Sequence, residues 1–174
     1  TSTTLTATDN CGTATVAYSE TTAPGTCAGN YILTRTWTAT DLCGLTATHI
    51  QTITVQDTTA PTLVEALPAN ITAECSAVPT APILTATDSC GTATVAYSET
   101  SAPGTCAGNY ILTRTWTATD LCGLTATHVQ TITVQDTTAP AFDMAAPADV
   151  TVSCGSIPTA PTLAASDACG TATV

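Results

Sequence analysis

The feature that most constrains this chain is that it repeats itself. Asp9, Asp88 and Asp167 stand 79 residues apart, and Cys11, Cys90 and Cys169 keep the same interval. Leu5–Thr62 and Leu84–Ala141 differ only at Asn10/Ser89, Thr22/Ser101, Ile50/Val129 and Thr62/Ala141. A period of this length means one small module written out in tandem, so the fold has to be sought inside a single repeat. The stretch Val55-Gln-Asp-Thr-Thr-Ala-Pro61 returns unchanged as Val134-Gln-Asp-Thr-Thr-Ala-Pro140. There a β-branched run ends in an acidic residue, two threonines and a proline, which cannot donate to a sheet ladder. This is the joint. It divides the chain into 1–61, a repeat lacking its first strand, 62–140, a complete repeat, and 141–174, the start of a third. Residues 159–174 return to the phase of 1–16, as expected of a segment of a longer array.

Within a repeat the signal is β throughout. Threonine recurs at alternate positions in Thr113-Arg-Thr-Trp-Thr-Ala-Thr119, and no apolar stripe of helical period competes with it. Strands are expected at Asn70–Cys75, Ile83–Thr87, Thr92–Glu99, Tyr110–Thr119 and Leu124–Gln135, with glycine-, proline- and asparagine-rich turns between them. The fold class is therefore all-β: tandem immunoglobulin-like antiparallel β-sandwich modules on a 79-residue repeat.

Composition removes whole classes of function. The formal charge is −11, with 13 acidic side chains against two basic ones. Such a polyanion repels nucleic acid and anionic membrane surfaces and collects cations. No run of about 18 apolar residues exists to insert into a bilayer. Nine cysteines in a chain with 4% aromatic residues point to an oxidising, extracellular setting, where thin-cored β-modules lean on disulfides. A thiolate metal site would call for close cysteine pairs, and no C-x-x-C occurs.

If the strands alternate in direction, Cys90 and Cys122 share one pole of the repeat and Cys75 and Cys106 the other. Cys90–Cys122 and Cys75–Cys106 are then the favoured bonds among the three connectivities open to four cysteines, with Cys11–Cys43 as the equivalent pair of the first repeat. Cys27, Cys154 and Cys169 are left without partners in this scheme.

The same alternation brings Asp88 and Asp120 to the pole that receives the preceding repeat, and the residue arriving there is Asp57. Three carboxylates together are costly unless a cation neutralises them. Hard oxygen donors on loops suit Ca²⁺. The expected calcium ligands are Asp57, Asp88 and Asp120, with half-sites at Asp9 with Asp41 and at Asp136 with Asp167. The competing reading is that Asp-x-Cys-Gly and Asp-Thr-Thr are turn caps.

Other features carry less. His49 and His128 are expected to make single structural hydrogen bonds on strand faces. Arg35 and Arg114 stand two residues before Trp37 and Trp116, which suggests cation–π contacts, with Glu20 and Glu99 as possible ion-pair partners. Asn70-Ile-Thr72 is a glycosylation sequon, whereas its counterpart Asp149-Val-Thr151 is not. No phosphate loop, catalytic triad or carboxylate pair in a cleft is visible, so the chain does not read as an enzyme.

The ordered boxes Pro68-x-Asn70-Ile-Thr, Ala86-Thr-Asp88-Ser-Cys-Gly91, Thr117-Ala-Thr-Asp120-Leu-Cys-Gly123 and Thr133-Val-Gln-Asp136-x-x-x-Pro140 resemble those of HYR (hyalin repeat) modules. They are closest to the cysteine-rich variety strung in tandem in large surface proteins of Bacteroidota. The resemblance implies extracellular immunoglobulin-like domains with an adhesive or stalk role. One departure is that Thr127, His128 and Val129 occupy the region of the usual late cysteine, so the family's disulfide is not carried over. Asp57-Thr58-Thr59 also resembles a bacterial O-glycosylation site. The expected function is a calcium-stiffened, disulfide-stapled extracellular stalk, adhesin shaft or fibre. Its partners are head-to-tail neighbouring repeats and, beyond them, glycans or another cell surface. The alternative is a binding module whose Thr-x-Thr rows, Thr113–Thr119 and Thr125–Thr133, present hydroxyls to polysaccharide or ice.

Overall fold

The computed structural model describes residues 4–106 and 108–174. Its regular elements are β1 (Thr8–Asp9), β2 (Gly12–Thr13), β3 (Thr15–Pro24), β4 (Tyr31–Thr40), β5 (Thr46–Val55), β6 (Thr62–Leu63) and β7 (Ile71–Glu74). After a 3₁₀ turn at Cys75–Ala77 come β8 (Ala86–Thr87), β9 (Ala93–Pro103), β10 (Tyr110–Asp120), β11 (Thr125–Gln135), β12 (Ala141–Phe142) and β13 (Ala165–Ser166). The chain is all-β and of the immunoglobulin-like sandwich class. The strand expected at Ile83–Thr87 shrinks to β8, because its partner β6 is only two residues long and is entered from Pro61.

In the first repeat β3, β4 and β5 form an antiparallel meander, with Tyr18 opposite Trp37 and Trp37 opposite His49. The complete repeat carries the four-stranded order β7-β11-β10-β9. Its edge departs from the all-antiparallel expectation: β7 pairs with β11 in parallel, Ile71 opposite Ile132. Both strands run in the direction assigned to them from the sequence, and adjacency alone makes the pair parallel.

The threonine alternation has the meaning expected of strand period two. Along β10 the buried residues are Leu112, Arg114, Trp116, Ala118 and Asp120, while Thr113, Thr115, Thr117 and Thr119 lie on the opposite, more exposed face.

Contacts divide the chain into two compact units. The first holds the chain up to Val64 with Thr85–Val95 and Ala118–Ala126, and the second holds Glu65–Leu84, Ala96–Thr117 and Thr127–Val174. In the first, Trp37 is buried with Tyr18 and His49 beside it, at ring-centroid distances of 5.3 and 5.8 Å. In the second, Leu112, Ile132 and Val134 form the core, packed by Ala73, Cys75, Val78 and Tyr110.

The expected cation–π contacts are replaced by ion pairs. Arg114 Nε donates to Glu99 at 2.7 Å and Arg35 Nε to Glu20 at 2.8 Å. Trp116 sits between Tyr97 and His128, 5.2 and 5.9 Å from them, and donates its indole N–H to Pro82 O at 3.1 Å. Directly opposed residues on neighbouring strands lie closer than residues two apart on one strand. Arg35 is directly opposite Glu20, so the guanidinium follows the carboxylate. His128 makes the single expected contact, donating from Nε2 to Pro68 O at 2.9 Å.

Candidate functional site at the joints

Each unit holds one joint between consecutive repeats. In the first unit the aspartates begin as local turn-formers. Asp88 Oδ1 accepts from Cys90 N at 2.7 Å, Asp120 Oδ1 from Cys122 N and Leu124 N at 2.8 and 2.9 Å, and Asp57 Oδ1 from Thr59 N at 3.0 Å. These are Asx turns, the role the cap reading assigns. A cap uses one oxygen, however, and leaves the other. Asp88 Oδ2 and Asp120 Oδ2 are buried with no hydrogen-bond partner, and Asp120 is 8% exposed. Capping and ion binding are therefore compatible roles of the same side chains.

The joint residue Asp57 stands against both loops. Asp57, Asp88 and Cys90 each offer an atom such that all lie within 4.8 Å of one another, and Asp57, Asp120 and Cys122 do the same. Asp57 is held in place by its backbone N–H, which donates to Asn30 Oδ1. Carboxylates this close, two of them with orphaned oxygens, have no side-chain cation to neutralise them. The only two basic residues are Arg35 and Arg114, and both are committed to glutamates.

The second joint repeats the arrangement. Asp136, Asp167 and Cys169 lie within 4.8 Å of one another, Asp136 Oδ1 accepts from Thr138 N at 3.1 Å and Asp167 Oδ1 from Cys169 N at 2.7 Å. Asp9 and Asp41 line one cleft of about 210 Å³, and each makes its own Asx turn.

Glu74 is a joint residue that pattern reading missed. It lies within 4.8 Å of Cys75 and Cys169 and accepts from Thr137 N, Thr137 Oγ1 and Thr138 Oγ1 at 3.1, 2.6 and 3.3 Å. The Thr137 bonds hold its carboxyl below the usual value. Its counterpart one repeat on is Ser153, so no periodic signal marked it.

The cysteine pairing overturns the expected scheme. The bonds are Cys27–Cys122, with Cα atoms 5.1 Å apart, and Cys75–Cys169, 5.8 Å apart. Cys90–Cys122, Cys75–Cys106 and Cys11–Cys43 do not form, and Cys11, Cys43, Cys90, Cys106 and Cys154 are free thiols. Cys90 and Cys122 both flank Asp57. The bond nevertheless crosses the joint, because the pole of one repeat receives the opposite pole of the preceding one and Cys27 arrives against Cys122. The approach is close at Gly29 as well. Its φ is 91°, and a Cβ there would lie 2.8 Å from the carbonyl oxygen of Cys90.

Comparison with curated proteins finds no match to the chain. A family model described as an HYR-like domain with 4 cysteines matches residues 63–134. That stretch contains Cys75, Cys90, Cys106 and Cys122, the four cysteine phases of the repeat, and the Asp88 and Asp120 boxes of the joint. Residues 63–134 belong to the HYR-like domains with four cysteines.

Proposed function

We propose that this chain is a segment of an extracellular tandem-repeat stalk or adhesin shaft in which calcium and cystines fix each repeat to the next. HYR-like domains are extracellular modules of the structural or adhesion type, and no helix among the described residues is long and apolar enough to cross a membrane. The observation that carries the calcium reading is the pair of buried, unpartnered oxygens, Asp88 Oδ2 and Asp120 Oδ2, in loops that converge on Asp57 from the preceding repeat.

An uncompensated buried carboxylate is expensive. A hard divalent ion relieves it with oxygen donors at about 2.3–2.6 Å, and the loops can supply further carbonyls and water. One sulfur beside them belongs to a cystine and is no thiolate donor, so the donor set is oxygen-dominated and favours Ca²⁺ over zinc. Bound there, the ion would tie Asp57 of one repeat to Asp88 and Asp120 of the next.

The test is thermal unfolding of the oxidised chain in millimolar Ca²⁺ and in excess EDTA, beside Asp57→Asn, Asp88→Asn and Asp120→Asn. Extracellular calcium modules bind at about 10⁻⁴–10⁻³ M, and a hundredfold excess over Kd stabilises by about 2.7 kcal/mol. A calcium-dependent rise in Tm that each substitution abolishes is the expected result. Equal melting with and without the ion would reduce the aspartates to turn caps.

A second reading draws on the registers of β3, β4 and β5. On one face Ser19, Thr36 and Ile50 form a row, flanked by rows containing Thr21, Thr34 and Thr52 and containing Thr38 and Thr48. This hydroxyl grid would suit a polysaccharide or an ice surface, and glycan-array and ice-recrystallisation assays test it directly. Threonine on an outer strand face is also plain β-propensity, so the joint carries the primary reading.

A further inference from the structure

The two cystines share one rule: each joins a cysteine of one repeat to a cysteine of the next, at separations of 95 and 94 residues. Translation by one repeat turns Cys27 into Cys106 and Cys122 into Cys43. It turns Cys75 into Cys154, and Cys169 into Cys90 and then Cys11. The five free thiols are these same positions, with none left over. Two phases act as upstream partners, 27/106 and 75/154, and two as downstream partners, 11/90/169 and 43/122. No phase is asked to do both.

The surroundings of a free member match those of a bonded one. Cys169, bonded to Cys75, lies beside Asp136, and a Cβ on Gly108 would lie 2.7 Å from its carbonyl oxygen. Cys90, unbonded, lies beside Asp57, and a Cβ on Gly29 would lie 2.8 Å from its carbonyl oxygen. The two cysteines occupy the same place at successive joints.

We infer that the five free cysteines are half-cystines awaiting further repeats of this kind, so that two cystines cross every joint and the array is a covalent ladder. Each bond forms as two thiols give up two protons and two electrons. A disulfide oxidant, glutathione disulfide or the oxidised form of a thiol oxidoreductase, accepts them and leaves as two thiols.

The ladder changes what tension can do. A covalent route enters a repeat at Cys122 from Cys27, runs back 16 residues to Cys106 and leaves for the next repeat. A parallel route uses the 15 residues between Cys75 and Cys90. Drawn out at about 3.3–3.6 Å per residue, either route spans roughly 50–60 Å, against roughly 260–280 Å for an unbridged 79-residue repeat. Most of the first route is β10, Tyr110–Asp120, which is already extended. The ladder thus makes the array nearly inextensible: pulling loads β10 instead of unravelling the repeat.

This inference rests on the array reading above but not on calcium. The experiment uses the full chain with one further copy of residues 62–140 inserted after Pro140, oxidised in a glutathione redox buffer with EDTA, alkylated and mapped by mass spectrometry. The expected result is Cys106 bonded to the cysteine 95 residues downstream, with cystines rising from two to four and free thiols remaining at five. Recovery of Cys106 as an alkylated thiol, or its bonding to Cys75, overturns the ladder. The same chain pulled in a single-molecule instrument should show roughly fivefold less contour per complete repeat before reduction than after it. Full-length release without reductant overturns the inextensibility. A protein indifferent to calcium that still maps as a ladder would sink the ion and leave the ladder standing.

Discussion

Arg114 and Arg35 have the same sequence neighbours and opposed glutamates, so they form an internal comparison of context. The Arg114 side chain is 5% exposed and that of Arg35 22%, and Arg114 also donates to Pro79 O at 2.7 Å. Removing one partner of a buried charged pair costs far more than trimming an exposed one. Arg114→Ala should therefore destabilise by about 2–3 kcal/mol and Arg35→Ala by distinctly less, read from urea unfolding midpoints. Equal effects would mean that the extra burial and the Pro79 carbonyl contribute nothing. The glutamates set the acid limit. Hydrogen bonding from Arg114, then from Tyr97, holds the Glu99 carboxyl below the usual value, and Thr137 does so for Glu74. A lowered carboxyl pKa contributes stability that is present above the unfolded value of about 4.3 and is lost as pH falls through the folded one. Stability should thus decline as pH drops below about 4, and Glu99→Gln should flatten that part of the profile measured by thermal melts. Glu20 and Glu99 stood in the sequence only as possible partners of the arginines, because the register that sets Glu20 opposite Arg35 is a property of the sheet. The tryptophan contacts were not legible, because they depend on which neighbour in the sheet is nearest.

At the scale of the element, the joint decides the fold's continuity, and Gly29 tests it. Gly29 and Gly44 both have φ in the left-handed region, 91° and 82°, but a Cβ on Gly44 meets nothing within 4 Å while one on Gly29 meets the Cys90 carbonyl at 2.8 Å. Alanine at either position costs the backbone strain of positive φ, about 1 kcal/mol or more. Only at Gly29 must the loop also withdraw from the neighbouring repeat. Gly29→Ala should lower Tm well beyond Gly44→Ala and weaken any calcium response, whereas Gly44→Ala should leave that response intact. The aspartate boxes of the joint were legible because Asp-x-Cys-Gly recurs at each turn and turn chemistry is local. The cystine pairing was not legible. In a near-perfect repeat, one pole of a module and the receiving pole of the next are written with the same letters, so Cys122 reads as equally suited to Cys90 in its own repeat and to Cys27 in the one before. Distance across the joint, which the sequence does not encode locally, makes the choice.

Taken as a whole, the molecule compensates for a thin core. Among the described residues, only Trp116, Ile132 and Val134 are large side chains with almost no exposure, each worth about 1.5–3 kcal/mol on burial. A cystine closing a loop of about 100 residues removes about 4.7 kcal/mol of denatured-state entropy in the chain-entropy account, so the two present here rival that core. The first of them should also be coupled to the proposed calcium ion. Cys27–Cys122 and the Asp57, Asp88 and Asp120 carboxylates lie in the same unit and join the same two repeats. With the bond closed, Asp57 is held near its partner loops before any ion arrives, and the entropy of bringing them together is already spent. With Cys27 and Cys122 both changed to serine, that ordering falls on the calcium, and affinity should drop roughly tenfold, about 1.4 kcal/mol. Coupling is reciprocal, so calcium should in turn raise the resistance of the Cys27–Cys122 bond to reduction by the same factor. Calorimetric titration of the paired-serine variant and redox titration of the parent chain with and without Ca²⁺ measure the two sides independently. Matching factors would show that ion and cystine act on one element. An unchanged calcium affinity in the serine variant would mean that the backbone from Asp57 through Pro61 into β6 sets the joint by itself.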